Sequence, residues 1–248
     1  MLEQGIDSDE ERIRIELAAA FRLAVHEGWH ESVANHFSAA VSDDGRTFLM
    51  NPCWKHFGEI RASELLLLDA DDASVMDGLD APDPSAWAIH GQIHAATPRA
   101  RVLLHLHPPY ATAIASLADP TILPIDQNTA RFFGEVAYDL EFGGIADDTE
   151  EGRRLAGVLG DKSVLMMGNH GVTTVGRTVA EAFESMYYLE RACQNLVLAY
   201  STGQPLRVLD DELATKVATG WKRFSGLGDA HFAQRMAQLD RTEPDYRT

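Results

Sequence analysis

The sequence predicts a single α/β domain, and three observations predict it. Strand-like apolar runs alternate with helical stripes along the 248 residues. Two of those runs, Arg101–His107 and Ser163–Met167, read as strands buried on both faces. No internal repeat or low-complexity linker interrupts the alternation, so one domain is the economical reading.

The elements follow in order. Asp7-Ser8-Asp9 can cap a first helix running to about Glu27, with Ile13, Leu17, Ala20, Phe21, Ala24 and Val25 on one stripe and Gly28 as its stop. Asn35–Val41 and Thr47–Met50 read as strands joined through Asp43-Asp44-Gly45. Leu65–Leu68 is another apolar run. Pro84-Ser85 opens a helix carrying Ile89, Ile93 and Ala96 that ends before Pro98. After the Arg101–His107 strand, Pro108-Pro109 stops the chain and a helix begins near Tyr110. Glu150–Leu159 is a short helix closed by Gly160. Ser163–Met167 and Val172–Val175 are strands around a tight Gly168–Gly171 turn. Val179–Tyr200 is a long amphipathic helix with Thr178 as N-cap. Residues 1–205 are expected to form the main domain. Residues 206–248, helical around Ala230–Leu239, are expected to be an extension packing on the same or a neighbouring subunit.

The net charge of −17 repels nucleic acid and anionic membranes, so neither is an expected partner. Cys53 and Cys193 lack CxxC spacing, and no apolar run reaches the ~20 residues of a membrane span. The acidic N-terminus lacks the features of a signal peptide. A cytoplasmic protein is the expectation.

The chemistry gathers at histidines. In His105-Leu106-His107, residues two apart on a strand share a face, about 6.5–7 Å apart. Two such imidazoles can converge on one ion, and the following prolines put them at a strand end. A second apolar strand runs into Asn169-His170-Gly171, where glycines permit a sharp turn. His105, His107 and His170 are therefore the candidate metal ligands. Three neutral imidazoles leave coordination positions open, as a catalytic site needs. His90 and His94, at i and i+4 on a helix, lack the glutamate of a zinc protease, since Gly91 follows His90. They are expected to pack or to support the ligands from behind. His36 and His56 are the remaining candidates to line a pocket.

Several segments resemble the class II aldolase/adducin family. Ala34-Asn35-His36-Phe37-Ser38 resembles its first Asn-containing strand, and Met50-Asn51-Pro52 the following strand end. His105-Leu106-His107 and Asn169-His170-Gly171 resemble its metal motifs in order and spacing. Glu190-Arg191-Ala192-Cys193 resembles the adducin-like branch. The resemblance runs from about residue 10 to residue 200.

It implies a three-layer α/β/α domain with a central, mostly antiparallel sheet, assembled as a homotetramer. It implies a divalent ion, commonly zinc, sometimes manganese or another metal. It implies carbon–carbon lyase chemistry on a small molecule, by aldol cleavage or decarboxylation, or alternatively an adducin-like assembly module without catalysis. By the same resemblance Asn35 and Ser85 would contact substrate. The sugar-phosphate aldolases carry Ser-Ser-Glu ahead of the HxH strand, whereas Pro84-Ser85-Ala86 stands here. A phosphorylated substrate is therefore not expected, and another group must move protons. Tyr188 is the candidate acid, Gln127 a substrate contact, and Arg131 and Lys55 carboxylate binders.

Overall fold

Strand β4 (Val102–Leu106) is buried along its whole length, and the rest of the sheet is built outward from it. The structure, a computed structural model, describes residues 8–78, 81–141, 149–224 and 226–248. The other strands are β1 (His36–Ala40), β2 (Thr47–Met50), β3 (Leu66–Asp69), β5 (Val136–Asp139), β6 (Val164–Met167) and β7 (Val172–Gly176). They form one seven-stranded sheet in the order β3-β2-β1-β4-β7-β6-β5. Neighbours run antiparallel except β5 and β6, which are parallel.

The helices are α1 (Ser8–His26), α2 (Pro84–Ala96), α3 (Pro109–Ala115), α4 (Gln127–Ala130), α5 (Thr149–Leu159), α6 (Val179–Ser201), α7 (Asp211–Lys222) and α8 (Leu227–Thr242). Alternation along each strand decides which helix covers which face. Phe37, Val102, Leu104, Leu106 and Val172 pack with Leu17 and Phe21 of α1, Ile114 of α3 and Phe183 of α6. Their neighbours Leu103, Leu165 and Val175 face the other way, against Ile93 of α2 and Leu155 and Leu159 of α5. Helix, sheet and helix make three layers, as expected.

Local chemistry sets the boundaries. The Asp83 carboxylate accepts from the N–H groups of Ser85 and Ala86, and Pro84 pre-sets the first turn of α2. Thr178 caps α6 by accepting from Glu181 N. Gly28 stops the chain after α1 with φ +72°. The proposed cap of α1 begins at Asp7, outside the described residues. Of these strands and helices, three escape the sequence reading. Strand β5 is four residues with a half-buried alternation. Helix α4 is one turn, and α7 buries only Ala214 and Ala218, too little for an apolar stripe. At the C-terminus, Phe232, Leu239 and Tyr246 enter the core shared with α1 and α6. Arg22 of α1 ties this segment down through Glu243 and Asp245.

Gly152 lets α5 lie against α2: a Cβ there would stand 2.6 Å from the Ala88 carbonyl and 3.0 Å from Gln92 Cγ. Gly152→Ala should therefore destabilise the fold by about 1–3 kcal/mol, despite alanine's better helix propensity. Urea unfolding with an unchanged or higher midpoint would show that the two helices separate without loss.

Candidate metal centre

The site begins with strand register. β4 pairs with β1 so that His105 stands opposite His36, and with β7 so that it stands opposite Thr173. Cross-strand partners share a face, so these side chains meet on the α2/α5 side of the sheet. His36 stacks on His105 with ring centroids 4.8 Å apart. His105 Nδ1 lies 3.2 Å from Thr173 Oγ1.

His107 follows at the strand end. Its Nδ1 donates to Glu31 Oε2 at 2.6 Å, so that in the neutral ring Nε2 is the acceptor nitrogen. That Nε2 is buried and has no hydrogen-bond partner. His170 arrives from the β6–β7 turn, where Asn169 holds φ +56°, a region asparagine tolerates. The turn is pinned by Gly168 N to Asp139 O and by Asn169 N to Ala115 O. At Gly171 a side chain would overlap the His107 ring and lie 2.7 Å from Leu106 O. This glycine is needed because the turn passes against the ligand-bearing strand.

The three rings converge. Their centroids lie 5.0 Å apart for His105–His107, 4.9 Å for His105–His170 and 4.8 Å for His107–His170. One nitrogen of each lies within 4.8 Å of the others. His105 is buried, whereas His107 and His170 are partly open. The donor set, the buried and unpartnered Nε2 and the carboxylate behind His107 fit a divalent cation with open positions. Burial first, then neighbouring rings, holds His105 well below the ordinary histidine range. Burial and His107 lower His170 as well. Neutral imidazoles are the form that binds metal.

The other expected residues lie as follows. Asn35 precedes β1 with φ +74°, and its Oδ1 is buried and unpartnered. Ser85 donates its hydroxyl to Asp83. Ala86 is fully buried with Ala40, Phe48 and Met50. Tyr188, Arg131 and Gln127 gather elsewhere, around Trp221 of α7. The Arg131 guanidinium lies 4.6 Å from the Tyr188 ring and 5.0 Å from that of Trp221. Arg131 also pairs with Glu184 at 3.0 Å. The Gln127 carbonyl accepts from Trp221 Nε1. Lys55 pairs with Glu64, and His56 accepts from Gly58 N.

Sequence reasoning missed Glu31, whose His30-Glu31 setting carries no periodic sign of its role. It also missed the contacts that tie His90 and His94 to β1. Ser38 Oγ lies 2.5 Å from His90 Nδ1 and 2.7 Å from His94 Nε2, and His36 Nδ1 lies 2.8 Å from His90 Nε2.

Among known proteins, residues 15–197 match the family model for the class II aldolase and adducin N-terminal domain. The crystal structure of an aldolase II superfamily protein from Pseudomonas syringae superposes with a TM-score of 0.88 at 34% identity, covering 98% of each chain. An adducin-related protein of Schizosaccharomyces pombe is 34% identical over 97% of this chain and 78% of its own length. The decarboxylase NovR of Streptomyces niveus is 27% identical over 82% of this chain and 77% of its own.

Two outcomes follow from this geometry. Glu31→Gln should weaken zinc binding about 10- to 100-fold, read by chelator competition, because the amide orients His107 less firmly. Unchanged affinity would remove Glu31 from the site. The second concerns acid. Burial lowers His36 and His94 to about 4 from 6.5, so below 6.5 the unfolded chain takes protons that the folded chain refuses. Stability is full above pH 6.5 and is lost as the pH falls towards 4. Metal-free protein should lose roughly 2–3 kcal/mol per ring by pH 4.5. Urea midpoints that stay level between pH 7.5 and 4.5 would contradict it.

Proposed function

This chain belongs to the class II aldolase and adducin family, and from that premise we propose that it is a metal-dependent carbon–carbon lyase. Its substrate is a small, non-phosphorylated hydroxy-carbonyl or carboxylate compound, cleaved by aldol or decarboxylation chemistry. The observation that carries this reading is the triad itself: His105, His107 and His170 converge, with a carboxylate orienting His107 and its other nitrogen buried without a partner. Three converging imidazoles favour catalysis over pure scaffolding.

In this reading the three imidazoles hold zinc, or manganese or another divalent ion. The bound ion supplies a Lewis acid for the oxygens on which charge grows as the carbon–carbon bond breaks. The protein residues do the rest. His107 is kept in one tautomer by Glu31. Asn35 offers an unpartnered amide oxygen to a substrate hydroxyl or amine. Phosphate is disfavoured at the start of α2, because the Asp83 carboxylate already takes the N–H groups a phosphate would use. The decarboxylase NovR supports the carboxylate branch of the proposal.

A homotetramer suits the exposed Trp54, Phe224 and Leu198, which are 76%, 68% and 54% accessible in the single chain. The two free cysteines suit a reducing cytoplasm. The second reading, an adducin-like assembly module, is favoured by Ala86. Neither a ligand nor an acid stands where sugar-phosphate aldolases carry glutamate.

Metal content separates the two. Protein purified without chelator should carry about one divalent ion per chain, and His107→Ala should lose it, since one of three ligands is gone. Wild-type protein that takes up neither zinc nor manganese would sink the lyase and leave the assembly module.

A further inference from the structure

Beside the triad runs a buried chain of hydrogen bonds with one fixed end. His94 Nδ1 lies 2.6 Å from the Ala100 carbonyl oxygen. His94 Nε2 lies 2.7 Å from Ser38 Oγ, which lies 2.5 Å from His90 Nδ1. His90 Nε2 lies 2.8 Å from His36 Nδ1. His90 and His94 are almost fully buried, at 1% and 3% exposure. His36 Nε2 makes no hydrogen bond to the described residues, and the His36 ring stacks on His105.

Elementary counting orders every proton. A carbonyl only accepts, so His94 Nδ1 carries the hydrogen. A neutral His94 then has a bare Nε2, which must accept from the Ser38 hydroxyl. Serine has one hydrogen, so towards His90 its oxygen accepts and His90 Nδ1 donates. The bare Nε2 of His90 accepts from His36 Nδ1. His36 is left with a bare Nε2. Any other assignment sets two hydrogens or two lone pairs against each other. The counting requires neutral rings, and burial without an ion-paired partner favours that form.

We propose that the Ala100 carbonyl, acting through His94, Ser38 and His90, locks His36 in its Nδ1–H tautomer, so that His36 Nε2 is a permanent hydrogen-bond acceptor for a substrate hydroxyl beside the triad. His36 is the group that touches substrate, a role resting on the lyase reading above. Ser38, His90 and His94 are positioning residues. The arrangement gives the site an acceptor where Ala86 can provide none. It also explains why a helix with no metal ligand sends two buried histidines towards β1. In water, neutral histidine prefers the opposite tautomer, so the lock has a signature that packing alone would not produce.

The test is a long-range proton–nitrogen correlation spectrum of the full chain labelled with 15N-histidine, recorded with and without zinc. Rings are assigned from His36→Gln, His90→Gln and His94→Gln spectra. His36, His90 and His94 should all show a protonated Nδ1 and a bare Nε2. In Ser38→Ala, His94 should keep its pattern, while His90 and His36 shift towards Nε2–H. A protonated Nε2 on His36 or His90 in the wild type would overturn the proposal, as would a Ser38→Ala spectrum in which His36 is unchanged. The wild-type spectrum decides alone should the variant fail to fold. The two readings fail separately. Nδ1–H rings that never respond to zinc would sink the metal reading and spare the lock, whereas zinc-bound triad rings beside an Nε2–H His36 would do the reverse.

Discussion

The register of β4 between β1 and β7 sets His36, His105 and Thr173 in one row across the sheet. Side chains alternate with a period of two, so a slip of one residue on either side would send a member of that row into the helical core of the opposite face. The apolar alternation fixes the register: Leu104 and Leu106 must enter the α1/α6 core, which obliges His105 to face α2. The chemistry of the site is thus a by-product of where leucine goes. Gly171 adds a second constraint, because the β6–β7 turn reaches the strand end only where it lacks a side chain.

Six histidines lie close together here, and the fold tolerates them by leaving hydrogen bonds in place of charge. Buried cations would repel one another and lose their hydration, which holds His36, His90, His94, His105 and His170 below the ordinary histidine range. Each neutral ring needs one donor and one acceptor relationship. Glu31 and Thr173 serve His107 and His105, while Ser38 and Ala100 serve the rings behind them. The overall charge of −17 then favours a cation over an anion at the partly open triad.

The sequence made part of this legible. Two buried strands, each running into histidine, pointed to the triad together, since either one alone would have suited an ordinary strand end or turn. The order of the longer elements was legible too, with periodicity, a Pro84-Ser85 opening for α2 and a Thr178 cap for α6. The rest depends on contacts that no local pattern encodes. Glu31 meets His107 across 76 residues, and Trp221 meets the Gln127 carbonyl across 94. The gathering of Tyr188, Arg131 and Gln127 around Trp221 could not be read, since α7 itself was invisible: its buried face is two alanines. Gly91 after His90 argued against a zinc protease in the sequence. Their meeting with Ser38 required knowing that α2 crosses the face of β1.

Helix α2 meets the face of β1 through His90 and His94. In the sugar-phosphate aldolases that this chain resembles, the start of that helix brings a glutamate and serines to the substrate. Here Ser85 is held by Asp83, and Ala86 is sealed among Ala40, Phe48 and Met50. The helix still serves the site, but one turn and two turns later, where His90 and His94 lie at i+4 spacing on the face that meets β1. Moving the polar groups along the helix changes what they can do. A carboxylate at the helix start could ligate an ion or carry a proton, whereas the buried imidazoles behind the strand spend their nitrogens on Ser38, Ala100 and His36. Losing the glutamate therefore does not by itself argue for loss of catalysis. It argues for a site whose acceptor is supplied by the sheet, at His36, and held in place by the helix.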